Sequence, residues 1–370
     1  MTIKELAYST QKSLHANTGC SIKRAHVYEL LASSFDFKSY AAFNVEHVFG
    51  HFRKHGSPVL PKTEHVVQRC IDLGYQRDAA DLAAATLIAF LTENKIGVVS
   101  ISSLINSLRG ELRMLDDYFE DTEEELFGFD DPDRTGPLLL DSLEMAASKG
   151  NAKAHYALAL IYAPNGDHRQ IGMGSSYWFE QAQSGRILVG VEKEWAEAYE
   201  ARLNQTKKYE YHLREAGRQN YPMALLDLAE SFGDTTFFDQ SCPDIDVDPA
   251  EIAEIAEQIG HDQGAKYRLT VSAENGDTNA MLKLLEAYDS DNLVRCWTWV
   301  YLSRLVGTDL TKDEYYAFHE DGSLYDDDIG GPMLVDGRDG VTLDPISPEQ
   351  DAEAKLAAQN LYESISLPEH

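Results

Sequence analysis

Three histidines, His47, His51 and His55, recur at every fourth position. On a helix, residues i and i+4 share a face, so neighbouring pairs are spaced to share a metal ion. All three cannot meet one ion, because at about 1.5 Å rise per residue the outer two stand roughly 12 Å apart. No acidic or cysteine cluster beside them supplies further ligands, and a surface stripe is the competing reading. Asp244, Asp246 and Asp248 form D-x-D-x-D. A calcium loop of the helix–loop–helix kind needs Gly at its sixth place and Glu at its twelfth; here those places hold Pro249 and Ile255. Asp248-Pro249 reads instead as an N-cap followed by proline at the first helical position. Cys20, Cys70, Cys242 and Cys296 make no C-x-x-C pair, which excludes a zinc ribbon and fits a reducing, cytoplasmic setting. Phosphate-binding loops, G-x-S-x-G elbows and H-E-x-x-H helices are missing. Gly172 and Gly174 lack a third glycine and a preceding strand. The expectation is a chain without catalytic residues, metal or cofactor, the alternative being a metalloprotein or enzyme built on His47 and His51.

Composition narrows the partners. The 370 residues carry a formal net charge of -30, which repels nucleic-acid phosphates and favours a basic protein partner. The charge is uneven: residues 1–56 hold seven Lys/Arg against four Asp/Glu. That region is the one place where nucleic acid could bind, through Lys23, Arg24, Arg53 and Lys54. The first twenty residues have no apolar core of a signal peptide, and the apolar run Leu82–Leu91 is too short for a membrane span, so no membrane association is expected.

The elements that would position these residues read as helices throughout. Residues 1–56 form a basic three-helix unit: one helix from Ile3 to Ala16, a second capped by Ser21, and a third from Lys38 to the stop at Gly56. Residues 57–118 form a helical block whose middle helix, RDAADLAAATLIAFLTEN, is apolar almost all round and reads as its buried centre. Residues 119–136 belong to an acidic linker; the stretch 116–133 has ten acids and no Lys or Arg.

Beyond Pro137 the sequence repeats. Ala147, Gly150 and Ala154 recur 35 residues later as Ala182, Gly185 and Val189, and 35 later again as Gly217, Asn220 and Ala224. A fourth copy, Ala273, Gly276 and Ala280, follows after a longer gap filled by the loop 233–249 and an added helix, AEIAEIAEQIG. A period near the roughly 34 residues of tetratricopeptide arrays implies stacked helical hairpins. In each, Gly or Asn takes the left-handed conformation that ends helix A, and helix B begins at once. A last unit starts near RCWTWVYLSRLVG, where Trp299 matches Trp178 and belongs to the core. Residues 311–370 comprise an acidic loop, 320–351, and a capping helix.

The pattern W-x-x-x-A-x-x-G at Trp178, Ala182 and Gly185, and A-A-x-x-G-x-x-x-A at Ala146–Ala154, resembles the Sel-one-like repeat family, a relative of tetratricopeptide repeats, over residues 137–310. The likeness implies an all-α fold, an α-solenoid of helical hairpin repeats preceded by small helical domains, and a scaffold or adaptor role. The stretch SIKRAHVYELLASSFDFKSYAAF also resembles a helical domain at the start of some bacterial glyoxalase-related proteins, but no glyoxalase domain follows and no activity carries over. In a solenoid, side chains of the A helices line the concave wall. The residues so placed are Tyr177, Tyr209, Tyr211, Arg214, Lys266 and Arg268, and they are the candidate contacts for a basic partner.

Overall fold

The computed structural model describes residues 1–51, 61–117, 136–164, 175–240, 245–319, 322, 323, 325 and 332–366. Helices dominate, and among the described residues none is long and apolar enough to cross a membrane. The chain divides into two compact units, 1–228 and 229–370.

The first unit begins with α1 (Ile3–Thr18), α2 (Arg24–Ser33) and α3 (Tyr40–Glu46). A capping box starts α1: the Thr2 hydroxyl accepts from the Glu5 amide while the Glu5 carboxylate accepts from the Thr2 amide. Ser21 does not cap the second helix; α2 begins at Arg24 behind Lys23, and Ile22 is buried instead. The third helix is also shorter than its sequence suggests. It stops at Glu46, and His47–His51 form strand β1, paired antiparallel with β2 (Ile96–Ser100). Val48 lies opposite Val99 and Phe49 opposite Val98, and these β-branched and aromatic pairs favour a pleated ladder over a helix. Gly50 packs beside Leu139, at the spot where a side chain would meet that leucine.

Next come α4 (Thr63–Asp72), α5 (Arg77–Glu93) and α6 (Ile101–Asp117). α5, apolar almost all round in sequence, buries one face through Ala80, Ala84, Leu87 and Leu91 at the centre of the block and leaves Leu82 exposed. Its small alanines let α1 and α4 approach it closely. A single apolar cluster joins Ile3, Leu6, Leu30, Phe43, Phe49, Leu87, Leu91 and Leu138, so the segments 1–51 and 61–96 share one core.

The rest of the unit holds α7 (Pro137–Ala147), α8 (Ala152–Tyr162), α9 (Ser176–Gln183), α10 (Val191–Arg218) and the start of α11 (Pro222–Phe232). α8 packs against α6, α7 and α10, and α9 packs against α10. Hairpin repeats would require a break between the second helix of one repeat and the first helix of the next. α10 runs through that point for 28 residues. Its sequence offers no breaker between Val191 and Ala216, and it is dense in the helix formers Ala, Glu, Lys, Gln, Leu and Arg.

The expected helix stops are present. Gly150, Gly185, Asn220 and Gly276 all have positive φ, at 84°, 91°, 56° and 99°. In each case the next amide reaches back five residues: Asn151 to the Ala146 carbonyl, Arg186 to Gln181, Tyr221 to Ala216 and Asp277 to Ser272. This is the bond that closes a helix through a left-handed residue. The same bond occurs at Gly260 (His261 to Ala256) and Gly307 (Thr308 to Ser303) and, ahead of the repeats, at Asp36 (Phe37 to Ala32) and Gly74 (Tyr75 to Cys70).

The second unit contains α12 (Thr236–Asp239), α13 (Pro249–Gln258), α14 (Asp262–Glu274), α15 (Thr278–Lys283), a π-helical turn (Leu284–Tyr288), α16 (Leu293–Leu305) and α17 (Pro348–Ser366). The Asp248 carboxylate caps α13 by accepting from the Ala250 amide, with Pro249 at the first position as the sequence indicates. α13 pairs with α14, α16 with α17, and Trp299 is 1% exposed in a core with Leu269, Met281, Leu302 and Ala358. The acidic loop 320–351 is not all loop. Leu334–Arg338 form β4, antiparallel to β3 (Glu314–Phe318). Gly337 makes this possible: its φ is 145°, and a Cβ there would lie 2.0 Å from the Glu314 carbonyl oxygen.

Candidate functional site

The most distinctive polar arrangement of the first unit forms where α8 crosses α10. α8 starts when the Asn151 side chain accepts the Ala154 amide, which sets His155 one turn into the helix. Opposite it, α10 presents Tyr211, His212 and Glu215. His155 and His212 are 6% and 9% exposed, and their Nδ1 atoms stand 3.1 Å apart. One Nδ1 donates to the other across this contact. Burial pushes the His155 imidazole below its ordinary range, against the pull of Glu215 and of the Ala147 carbonyl. Burial, with His155 and Lys208 as like-charge neighbours, pushes His212 down to about 4. Tyr162 stacks on His212 at 17°, and Lys208 Nζ lies over the Tyr162 ring, 4.6 Å from its centroid.

Above the pair opens a cleft of about 350 Å³. Glu144, Ala147, Ser148 and Gly150, at the C-terminal end of α7, line one wall; Tyr211, Glu215 and Gln219 line the other. Tyr211 is 57% exposed. On the far side of α8, Tyr156 donates to the Asp227 carboxylate at 2.7 Å, and Arg109 of α6 bridges both groups. Burial pushes the Asp227 carboxyl up, opposed by Arg109 and Tyr156. Beside it, burial of Glu46 is outweighed by Lys153 and Ser102, which hold its carboxyl at about 2.

In the second unit a different cluster centres on Asp289, 3% exposed, at the end of the π-helical turn. Its carboxylate meets Lys266 Nζ and Arg295 Nε at 2.8 Å and accepts from Trp299 Nε1 at 2.9 Å. Burial pushes its pKa up, but Lys266, Trp299 and Arg295 pull it down further, so the carboxyl is held below the usual carboxylate range.

The residues singled out from the sequence scatter. Tyr177 is exposed on α9, edge-on to Trp178. Tyr209 and Arg268, expected on a lining wall, are buried, because the helix faces that carry them turn into the core; Arg268 lies over Phe237. Arg214 pairs with Glu210 along α10 at 2.9 Å. Lys266 is committed to Asp289. Tyr211 alone reaches the cleft, and neither His155 nor His212 was singled out; 57 residues separate them, and no spacing rule links two helices across that distance.

The metal reading of His47 and His51 assumed a helix. On β1, four residues of strand separate their Cα atoms by about 13 Å. His47 packs on Phe37 and Phe43, and His51 faces the Asn94 carbonyl. No group of three or more metal-ligating side chains occurs among the described residues. Of the basic N-terminal residues, Lys23 and Arg24 are exposed and Arg24 donates to the Lys4 carbonyl; Arg53, Lys54 and His55 lie outside the described residues, as do Cys242 and Asp244. Comparison with protein-family models, with characterised proteins and with solved structures finds no match to this chain.

Proposed function

We propose that this chain is a non-enzymatic scaffold or adaptor that holds a basic protein partner on a Sel-one-like α-solenoid spanning residues 137–310. The observation that carries the reading is the recurrence of one helix-ending device at Gly150, Gly185, Asn220 and Gly276, the first three at 35-residue spacing. Repeats of this kind stack their hydrophobic faces against neighbouring helices, and they leave a continuous side wall for a ligand. The net charge of -30 selects the partner's sign and steers its approach.

The test is affinity capture with the full chain from its native cell, followed by purification of each captured protein and calorimetric titration against the purified chain. The reading expects at least one basic protein to rebind with micromolar or tighter affinity that weakens as salt rises. It fails if no captured protein rebinds, or if every one that rebinds is acidic.

A further inference from the structure

We propose that the cleft between the end of α7 and α10 is a receptor for one arginine side chain of a basic partner, with the buried His155–His212 pair as its floor. The inference rests on the adaptor reading and names the chemistry it uses at this place.

Four features of the cleft fit a guanidinium. Its volume of about 350 Å³ lies at the small end of ligand sites, suited to one side chain rather than a nucleotide. Its two charged walls are acidic, Glu144 from α7 and Glu215 from α10, and a planar guanidinium can bridge carboxylates with several parallel N–H donors. Glu144 is exposed on α7; Glu215 already pairs with Arg218 one turn along α10, so an incoming guanidinium shares that carboxylate with it. The Tyr211 ring, exposed at the mouth, offers a face for stacking, which a guanidinium uses better than an ammonium.

The floor is what separates this cleft from a patch of acids. Two imidazoles, each more than nine-tenths buried, line the bottom, and burial there disfavours their charged forms. A neutral pair shares one N–H between its Nδ1 atoms. Adding a proton leaves the shared hydrogen in place and converts the pair to a cation directly beneath the bound guanidinium. The charged or titratable groups around the pair are Glu144 on α7, Tyr162 on α8, and Lys208, Tyr211 and Glu215 on α10. Arg109 of α6 is occupied by Tyr156 and Asp227. Arginine binding and protonation of the pair therefore oppose each other, and by linkage each weakens the other equally.

The test uses the intact chain and two small probes, N-acetyl-arginine amide and its neutral isostere N-acetyl-citrulline amide, followed by the imidazole carbon-bound proton signals of His155 and His212 in NMR titrations. The arginine probe is expected to shift both signals saturably, and the citrulline probe to bind at least about tenfold more weakly. Tyr211→Ala combined with Glu144→Gln, both on exposed side chains, is expected to weaken the probe about tenfold without altering the helical circular dichroism. Equal binding of the two probes, no saturable shift, or a shift that survives the double substitution overturns the inference. A captured basic partner whose affinity is untouched by the double substitution also overturns it while leaving the adaptor reading intact.

Discussion

The His155–His212 pair works against protonation, and this gives it a measurable signature apart from any ligand. In the unfolded chain His212 titrates near 6.5; in the folded protein burial, with His155 and Lys208 beside it, holds it at about 4. Between those values the unfolded chain keeps a proton that the folded chain releases. Stability therefore falls as pH falls through this window, and the loss is complete below the folded value. A shift of this size is worth up to about 3 kcal/mol. His212→Asn keeps a polar group of similar reach but cannot titrate. Chemical denaturation at pH 7, 6, 5 and 4 is expected to show a shallower decline for this variant than for the parent; parallel declines would show that the pair contributes nothing. Residues of this kind were hidden in the sequence. Trp299 was legible as core because it sits at the repeat position of Trp178, but Asp289, which accepts its indole N–H, was not. The partners of Asp289 come from positions 266, 295 and 299, and only the packing of α14 against the turn and α16 brings them to one carboxylate.

At the level of elements, what the sequence announces most clearly is where helices stop. A left-handed residue is a local requirement, satisfied by Gly or Asn whatever surrounds it, so its spacing survives in the text of the chain. The strands were not legible for the opposite reason. His47–His51 has no strong alternation of its own, and its partner Ile96–Ser100 lies beyond two intervening helices. The length of α10 was likewise missed, since a repeat pattern suggests a break that the residues themselves do not supply. Small residues inside helices carry a second kind of information, close approach. Gly264 in α14 is an example: a Cβ there would stand 2.7 Å from Phe238 Cδ1 and from His261 Nδ1. Those two rings stack at 27°, and the His261 Nδ1 also caps α14 by accepting the Gly264 amide. Ala is the better helix former by about 1 kcal/mol, yet crowding a packed core costs about 1–3 kcal/mol. Because the obstacle is a ring held on both sides, the steric cost wins here. Gly264→Ala is expected to lower the stability of the second unit, with the amides of α13 and α14 exchanging faster; unchanged or slower exchange would show that the rings simply move aside.

Across the whole molecule, charge sets behaviour that no single contact explains. Most ion pairs of the described residues join partly exposed side chains, such as Lys62–Asp36 and Arg77–Asp81, and contribute little each. The excess of thirty negative charges has no such partners and repels itself in the folded chain. Salt weakens both effects, and the comparison of magnitudes decides the outcome. Exposed pairs are worth about 0–1 kcal/mol and are screened only in part, whereas repulsion acts among all the acids at once over about 10 Å at 0.1 M salt. Raising sodium chloride from 0.02 to 0.3 M is therefore expected to raise the melting temperature of the chain. The same change should weaken a basic partner, because the attraction being screened is the mirror of the repulsion being relieved. Stability and binding should move in opposite directions along one salt series, measured on the same protein by thermal unfolding and by calorimetry. A melting temperature that falls with salt would mean that the local pairs outweigh the net charge. The electrostatic account of partner choice would fall with it, since that account depends on the surplus acids being unscreened and facing solvent.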